Sequence, residues 1–389
     1  MQARTVVFAT VLLMTMLVSN LSFFILVVAS SELEAEFGLS NLQLGLLGTA
    51  STLAGALLSP LAGRITDRIG AVRAMQIVLI SAAIGALATA LAGTYEFVLF
   101  GMLLSGIPVG LSNPATNRAI AVSGAGELRG VITGVKQSGV QMAVFVSGFI
   151  VPLMTAAWGW RSGQWAMVGL SLALLISLPV IPPDEGNPAA RLDGSNTKAA
   201  EEPHSKLAIR TAIYGALLGI IGGGFGRFIP LYAEEVLNMS LASAGRIFGV
   251  TGLVAIPVRI LSGIAIDRGL SARLTLLVMA LVGVVSVALI WVAEPGPNAA
   301  IWAGAILSGM TLGSWNTAAN IIMIREPNSG KATGLLYLGF LGGLAAGGPI
   351  VGWSIDIFDS YQPAWLFCGA LAAAGAAVVA GRDLQARTS

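Results

Sequence analysis

Four basic side chains stand inside long apolar stretches of this 389-residue chain: Arg118, Lys136, Arg227 and Arg259. A charge at the centre of a membrane-spanning helix costs about 2.5–3.5 kcal/mol on insertion scales, so each is a candidate for binding something. No Asp or Glu shares those stretches. Buried cations without carboxylate partners call for an anion from elsewhere, and a transported small anion would satisfy them. At 1.5 Å per residue Lys136 lies roughly 8 Å inside its helix end and Arg118 nearer the end, so both are also able to carry their charge to water along the aliphatic stem. Arg227 follows Gly222–Gly226, a run that would break or bend a helix and present backbone groups to a ligand, and it precedes Glu234 and Glu235. Arg259 has Asp267 about two turns away, and for it a structural pairing is the expected role.

Neutral polar residues accompany these cations. Asn113 and Asn117 are one turn apart and share a helix face, as do Asn316 and Asn320. Such amides either glue helices together, at about 0.6 kcal/mol per hydrogen bond in a bilayer, or line a path for cargo. Lys136-Gln137-Ser138-Gly139 and Gln141 add further donors. Other chemistry is excluded by residue supply. A single cysteine, Cys368, and a single histidine, His204, leave no disulfide, Ser/His/Asp triad, HExxH zinc site or CxxC redox site. The expectation is a chain that is not an enzyme and carries no metal or cofactor.

The elements that must position these residues are membrane helices. Hydrophobic residues make up 56% of the chain and charged residues 10%, with a mean hydropathy of +0.84, too little polar surface for a water-soluble globule of this length. A span needs about 20 apolar residues. Six candidates precede a polar stretch, at 5–29, 42–62, 74–92, 97–121, 131–153 and 164–181, and six follow it, at 208–232, 242–265, 274–293, 300–322, 332–352 and 363–380. Residues 182–207 have the Pro, Gly and charge content of a solvated linker. The expected domains are therefore a first six-helix bundle over 1–181, the linker, and a second bundle over 208–389. The first span is too long for the apolar core of a secretory signal, so it is read as a helix of the mature protein.

Lys and Arg fix the orientation. With the N-terminus cytoplasmic, that side receives Arg64, Arg68, Arg73, Arg191, Lys198, Arg268, Arg273, Arg325 and their neighbours, and the opposite side keeps only Arg161 and Arg246. Both termini and the linker then face the cytoplasm of a bacterial inner membrane. This sorting leaves no basic face for nucleic acid.

One loop is written twice. Gly63-Arg-Ile-Thr-Asp67-Arg68-Ile-Gly70 with Arg73 returns 200 residues later as Gly263-Ile-Ala-Ile-Asp267-Arg268-Gly269 with Arg273. The same register pairs Glu34 with Glu234, Gly45 with Gly245, Thr133-Gly134 with Thr333-Gly334, Gly148 with Gly348 and Trp165 with Trp365. It slips by three where Gly106, Gly110, Asn113 and Asn117 meet Gly309, Gly313, Asn316 and Asn320. Matching loops and helices in two halves are the mark of a duplicated transporter.

The doubled loop resembles the signature of the major facilitator superfamily, over essentially the whole chain. The resemblance implies an all-α membrane fold of twelve helices in two pseudo-symmetric six-helix bundles, working by alternating access. It also implies that Gly63 permits close helix contact, that Asp67 holds the start of the eleventh helix, and that Arg68 and Arg73, with Asp267 and Arg268 in the second copy, form a conformational gate. Helices 1, 4, 7 and 10 line the cavity in this family, which places Asn20, Asn113, Asn117, Asn316 and Asn320 there, facing one another across the path. Arg118, Lys136, Gln141 and Arg227 complete the expected substrate-binding set. The sequence departs from the family's drug–proton antiporters: their Gly-Pro motif is missing from helix 5, and the helix-4 arginine would fall at Met102.

The expected function is secondary transport of a small organic anion, by proton symport or anion exchange, in a monomer whose partners are that substrate, protons and the bilayer. An efflux pump for hydrophobic or cationic compounds is the alternative within the fold. A non-transporting membrane sensor or scaffold is the alternative outside it.

Overall fold

The computed structural model describes residues 3–123, 128–182, 184, 205–294, 298–326 and 329–381. Most of the linker, including Arg191, Lys198 and His204, lies outside them, as do Arg382 and Arg387. The regular structure among the described residues is helical. The first half holds α1 (Ala3–Val28), α2 (Ser30–Phe37), α3 (Asn41–Ile69), α4 (Ala71–Ala90), α5 (Tyr95–Val122), α6 (Arg129–Gln137), α7 (Gly139–Trp158) and α8 (Arg161–Ser177). The second holds α9 (Lys206–Glu235), α10 (Leu241–Asp267), α11 (Ala272–Trp291), α12 (Asn298–Met310), α13 (Asn316–Ile324), α14 (Ser329–Phe358) and α15 (Gln362–Ala380).

Eleven of the expected spans are helices long and apolar enough to cross a membrane, the fifth of them formed by α6 and α7 joined through the single residue Ser138. The remaining span, expected at 300–322, is broken into α12 and α13 by the turn at 311–315. The twelve-helix, two-bundle layout is thus present, with one helix in two pieces. The glycine run before Arg227, expected to break a helix, does not: α9 is continuous from Lys206 to Glu235.

Local chemistry sets the helix ends. Thr94, Ser205 and Ser271 accept hydrogen bonds from the backbone N–H groups of Phe97, Ala208 and Leu274 and so cap α5, α9 and α11. Both copies of the repeated loop turn on a glycine at positive φ, Gly70 at 85° and Gly269 at 105°, where a Cβ would be strained. Along the spans, Ser and Thr hydroxyls such as those of Thr15, Thr89, Ser105 and Ser171 donate to the carbonyl four residues back, which satisfies them without water.

The chain divides into two compact units. The first comprises residues 1–39, 46–199 and 240–249, and the second 40–45, 200–239 and 250–389. Each has the same internal plan. In the first, α1 packs on α7 and α8, and α4 on α5 and α8. In the second, α9 packs on α14 and α15, and α11 on α12, α13 and α15. The helices of the second unit approach closely along glycine. Gly215, Gly219 and Gly223 of α9 recur at four-residue spacing, as do Gly339, Gly343 and Gly347 of α14. A Cβ at Gly219, Gly223, Gly343 or Gly347 would strike a backbone carbonyl of the facing helix. The α1–α7 pair of the first unit has Gly139 against the backbone of Leu13 and Leu17, followed by Ala143 and Ser147 at the same spacing.

Candidate functional site

Lys136, near the end of α6, is fully buried at 0% exposure. Its Nζ donates to Asn117 Oδ1 at 2.7 Å, Thr116 Oγ1 at 2.8 Å and Asn113 Oδ1 at 3.2 Å. All three acceptors lie on one face of α5, because positions 113, 116 and 117 are three and four residues apart. Gln137 adds a hydrogen bond from Nε2 to Asn113 Oδ1 at 3.1 Å, and Thr116 lies 3.8 Å from the sulfur of Met16 on α1. Three protons therefore meet three oxygens, and none of those oxygens is charged. The hydrogen-bonding need of the ammonium is met, while among the described residues no carboxylate neutralises its charge.

The same geometry turns the amides outward. An ammonium only donates, so Asn113 and Asn117 must give it their oxygens and direct their NH2 groups away. Among the described residues neither NH2 group donates to protein. The cluster is left with a positive charge and surplus donors, which together suit a ligand rich in acceptors. Its members lie on two helices in contact, α5 and α6.

Other expected site residues lie elsewhere. Asn20 donates to Met16 O at 3.2 Å and to Ser19 Oγ at 2.9 Å on its own helix. Gln141 and Arg227 are buried, Arg227 at 2% exposure. In the second unit Asn320 donates to the Tyr337 hydroxyl at 3.3 Å. In the repeat Asn320 corresponds to Asn117 and Tyr337 to Gln137, so tyrosine stands where the first half has glutamine and reaches the second asparagine of its pair, whereas Gln137 reaches the first.

Arg118 differs from the expectation that it has no carboxylate partner. Its Nη1 donates to Asp67 at 2.7 Å, and its Nε and Nη2 donate to the two oxygens of Asp184. The reason is its place one turn from the end of α5, where the end of α3 and the chain beyond α8 converge. Asp184 also accepts the Ala71 N–H at 3.0 Å, capping α4. The partner of Asp67 within the first unit is thus Arg118. Arg68 and Arg73 are exposed, as are Asp267 and Arg268. Among the described residues no heavy atom lies within 4 Å of the place a Cβ of Gly63 would take, its own helix backbone aside.

Arg259 also differs: instead of Asp267, its Nε and Nη2 reach the Gly313 carbonyl at 3.0 and 2.8 Å. The broken span supplies that carbonyl beside α10, whereas Asp267 sits exposed at the helix end. Sequence reading overlooked Thr116, Tyr337 and Asp184. Position 116, three beyond Asn113, was the available signal for the first; Asp184 lay hidden in a stretch with linker composition.

Comparison with known proteins gives the same picture. Over 367 residues the chain is 29% identical to the uncharacterized transporter YycB of Bacillus subtilis, covering 91% of this chain and 88% of that protein. It is 25% identical over 274 residues to the cis,cis-muconate transport protein of Acinetobacter baylyi, covering 66% and 64%. The fold matches the crystal structure of a D-xylose-proton symporter with a TM-score of 0.75 at 15% identity, over 97% and 98% of the two chains. The family model of the Major Facilitator Superfamily matches residues 11–327. With its repeated loop, its paired packing plan and these relatives, the chain belongs to the major facilitator superfamily and is a multi-pass membrane transporter rather than an enzyme.

Proposed function

We propose that the protein carries a small organic anion by alternating access, and that the Lys136 cluster binds the anionic group. The observation that supports this reading is the fully buried ammonium that, among the described residues, is held by neutral oxygens alone. A bare positive charge inside a span is costly, and an incoming anion relieves that cost while taking up the outward-turned amide NH2 groups. Asn20, Gln141, Arg227, Asn316 and Asn320 remain in the proposed binding set, whereas Arg118 leaves it because two carboxylates already neutralise it. Proton symport or anion exchange supplies the coupling, in a monomer of the bacterial inner membrane. The muconate transporter is a relative whose named cargo is itself a dicarboxylate, which is compatible with this choice.

The test is a thermal-shift screen of the purified protein against carboxylates, nitrate, sugars and cationic drugs, followed by uptake into proteoliposomes. A ligand that binds the folded state raises its apparent stability, by about 2.7 kcal/mol at a hundred times its Kd. Carboxylates are expected to give the shift, and Lys136→Gln is expected to lose both shift and uptake while still inserting and eluting as a folded species. Uptake by Lys136→Gln at the parental rate would refute the assignment.

A further inference from the structure

We propose that Arg259 and Tyr337 form a carboxylate-binding subsite within the second unit. This rests on the reading of the cargo as an anion and names the group that the protein recognises. On α10 the exposed Leu253, Pro257, Ile260, Leu261 and Ile264 mark the lipid face. At 100° per residue Arg259 falls on the opposite side, with the buried Ala255, Ser262 and Ile266. Its charge therefore points into the protein.

A guanidinium has two forked edges. The Gly313 carbonyl occupies one of them, accepting from both Nε and Nη2. Among the described residues nothing accepts from the other edge, formed by Nη1 and the second proton of Nη2, and no carboxylate pairs with it. Tyr337 stands on α14 and is tied through Asn320 to α13, the half of the broken span that follows the Gly313 turn. Its hydroxyl accepts from Asn320 at 3.3 Å, and its own proton goes to no described acceptor. A fork with two donors fits a planar carboxylate bound bidentately, and the Tyr337 O–H is assigned as the donor of a third hydrogen bond to it.

Bracing of the helix break does not account for this arrangement. The turn between α12 and α13 needs a donor for the Gly313 carbonyl, and an amide side chain would serve without placing a permanent charge in a span. A guanidinium with one edge unused is explained by a ligand that uses it.

The experiment measures binding of adipate and cis,cis-muconate to the purified full-length protein by calorimetry, with adipamide as the uncharged control. The parent is expected to bind at least one diacid and not the diamide. Arg259→Lys keeps the charge and a donor for Gly313 but loses the fork, and should weaken diacid binding about tenfold or more. Tyr337→Phe should weaken it several-fold, with unliganded melting temperature little changed. If Arg259→Lys fails to fold, Tyr337→Phe carries the test. Parental affinity in the folded variants, with binding lost in Lys136→Gln, overturns this subsite and leaves the anion reading standing. Absence of diacid binding in the parent overturns both.

Discussion

An ammonium ion has three protons to give and nothing with which to accept, and this asymmetry organises the Lys136 cluster down to the direction of each amide. The residue type and its place in a span marked Lys136 in the sequence, since few reasons other than a ligand keep a lysine there. Its neighbours were partly legible: the Asn113 and Asn117 pair by its one-turn spacing, Thr116 not at all, because threonine is ordinary in membrane helices. Repetition in sequence also misled at this scale. Trp165 and Trp365 share a register, yet Trp165 is 48% exposed on the outside of its helix while Trp365 is fully buried among Phe225, Tyr232 and Tyr361.

A second residue-level pair yields a pH prediction. Glu36 of α2 accepts from Arg161 at 2.6 and 2.7 Å and from the Trp160 indole at 2.7 Å. The Arg161 hydrogen bond, followed by opposing desolvation, holds its carboxyl below the ordinary 4.5. A depressed carboxyl contributes stability above its unfolded value and loses it as pH falls through its folded value. Both side chains are about a third exposed, so the contribution is at most about 1 kcal/mol. Glu36→Gln should therefore melt slightly below the parent at pH 7, and the gap should close as pH drops below 4.5. A gap of constant size across that range would exclude the ion pair as its source. The second half repeats the device in another chemistry: Tyr361, 200 residues after Arg161, donates to Glu235 at 2.6 Å.

At the scale of elements, glycine content gave the wrong break and the right contact. The run Gly222–Gly226 stays helical because α14 packs closely against it, with Gly223 on the Leu344 backbone and Gly224 on the Val351 side chain and the Gly347 carbonyl. The break falls instead between α12 and α13, where α10 offers partners: Ser314 Oγ bonds to the carbonyls of Gly309 and Ala255 at 2.8 and 3.3 Å, and Arg259 takes that of Gly313. Backbone groups leave a helix inside a bilayer only where other groups satisfy them. The glycine ladder can be tested by contrast. Gly343→Leu would drive a side chain into the Ala216 carbonyl, whereas position 342 has open space. Overpacking costs about 1–3 kcal/mol, so Gly343→Leu should lower the melting temperature in detergent and Gly342→Leu should leave it near the parental value. Equal effects would mean that the ladder does not set the α9–α14 spacing.

For the whole molecule, charge sorting predicts which loops face the cytoplasm. Cys368 is the sole cysteine and is buried, so single cysteines can be added to the natural sequence. Gly93→Cys, in the turn before α5, should react with a membrane-impermeant maleimide added outside intact spheroplasts. Leu270→Cys, in the turn after α10, should react only once the membrane is opened. The reverse pattern would invert the topology. Composition, span lengths and the doubled Gly-Asp-Arg loop determined the family, the duplication and the helix count, because these depend on hydrophobic length and on residues repeated at fixed spacing. Which cations keep an unneutralised charge was decided only by tertiary structure. Arg118 finds the carboxylate of Asp184 from 66 residues away, whereas among the described residues Arg259 reaches only a neutral carbonyl 54 residues away and Lys136 only amides and a hydroxyl; such partners are brought together by packing, and no local pattern announces them.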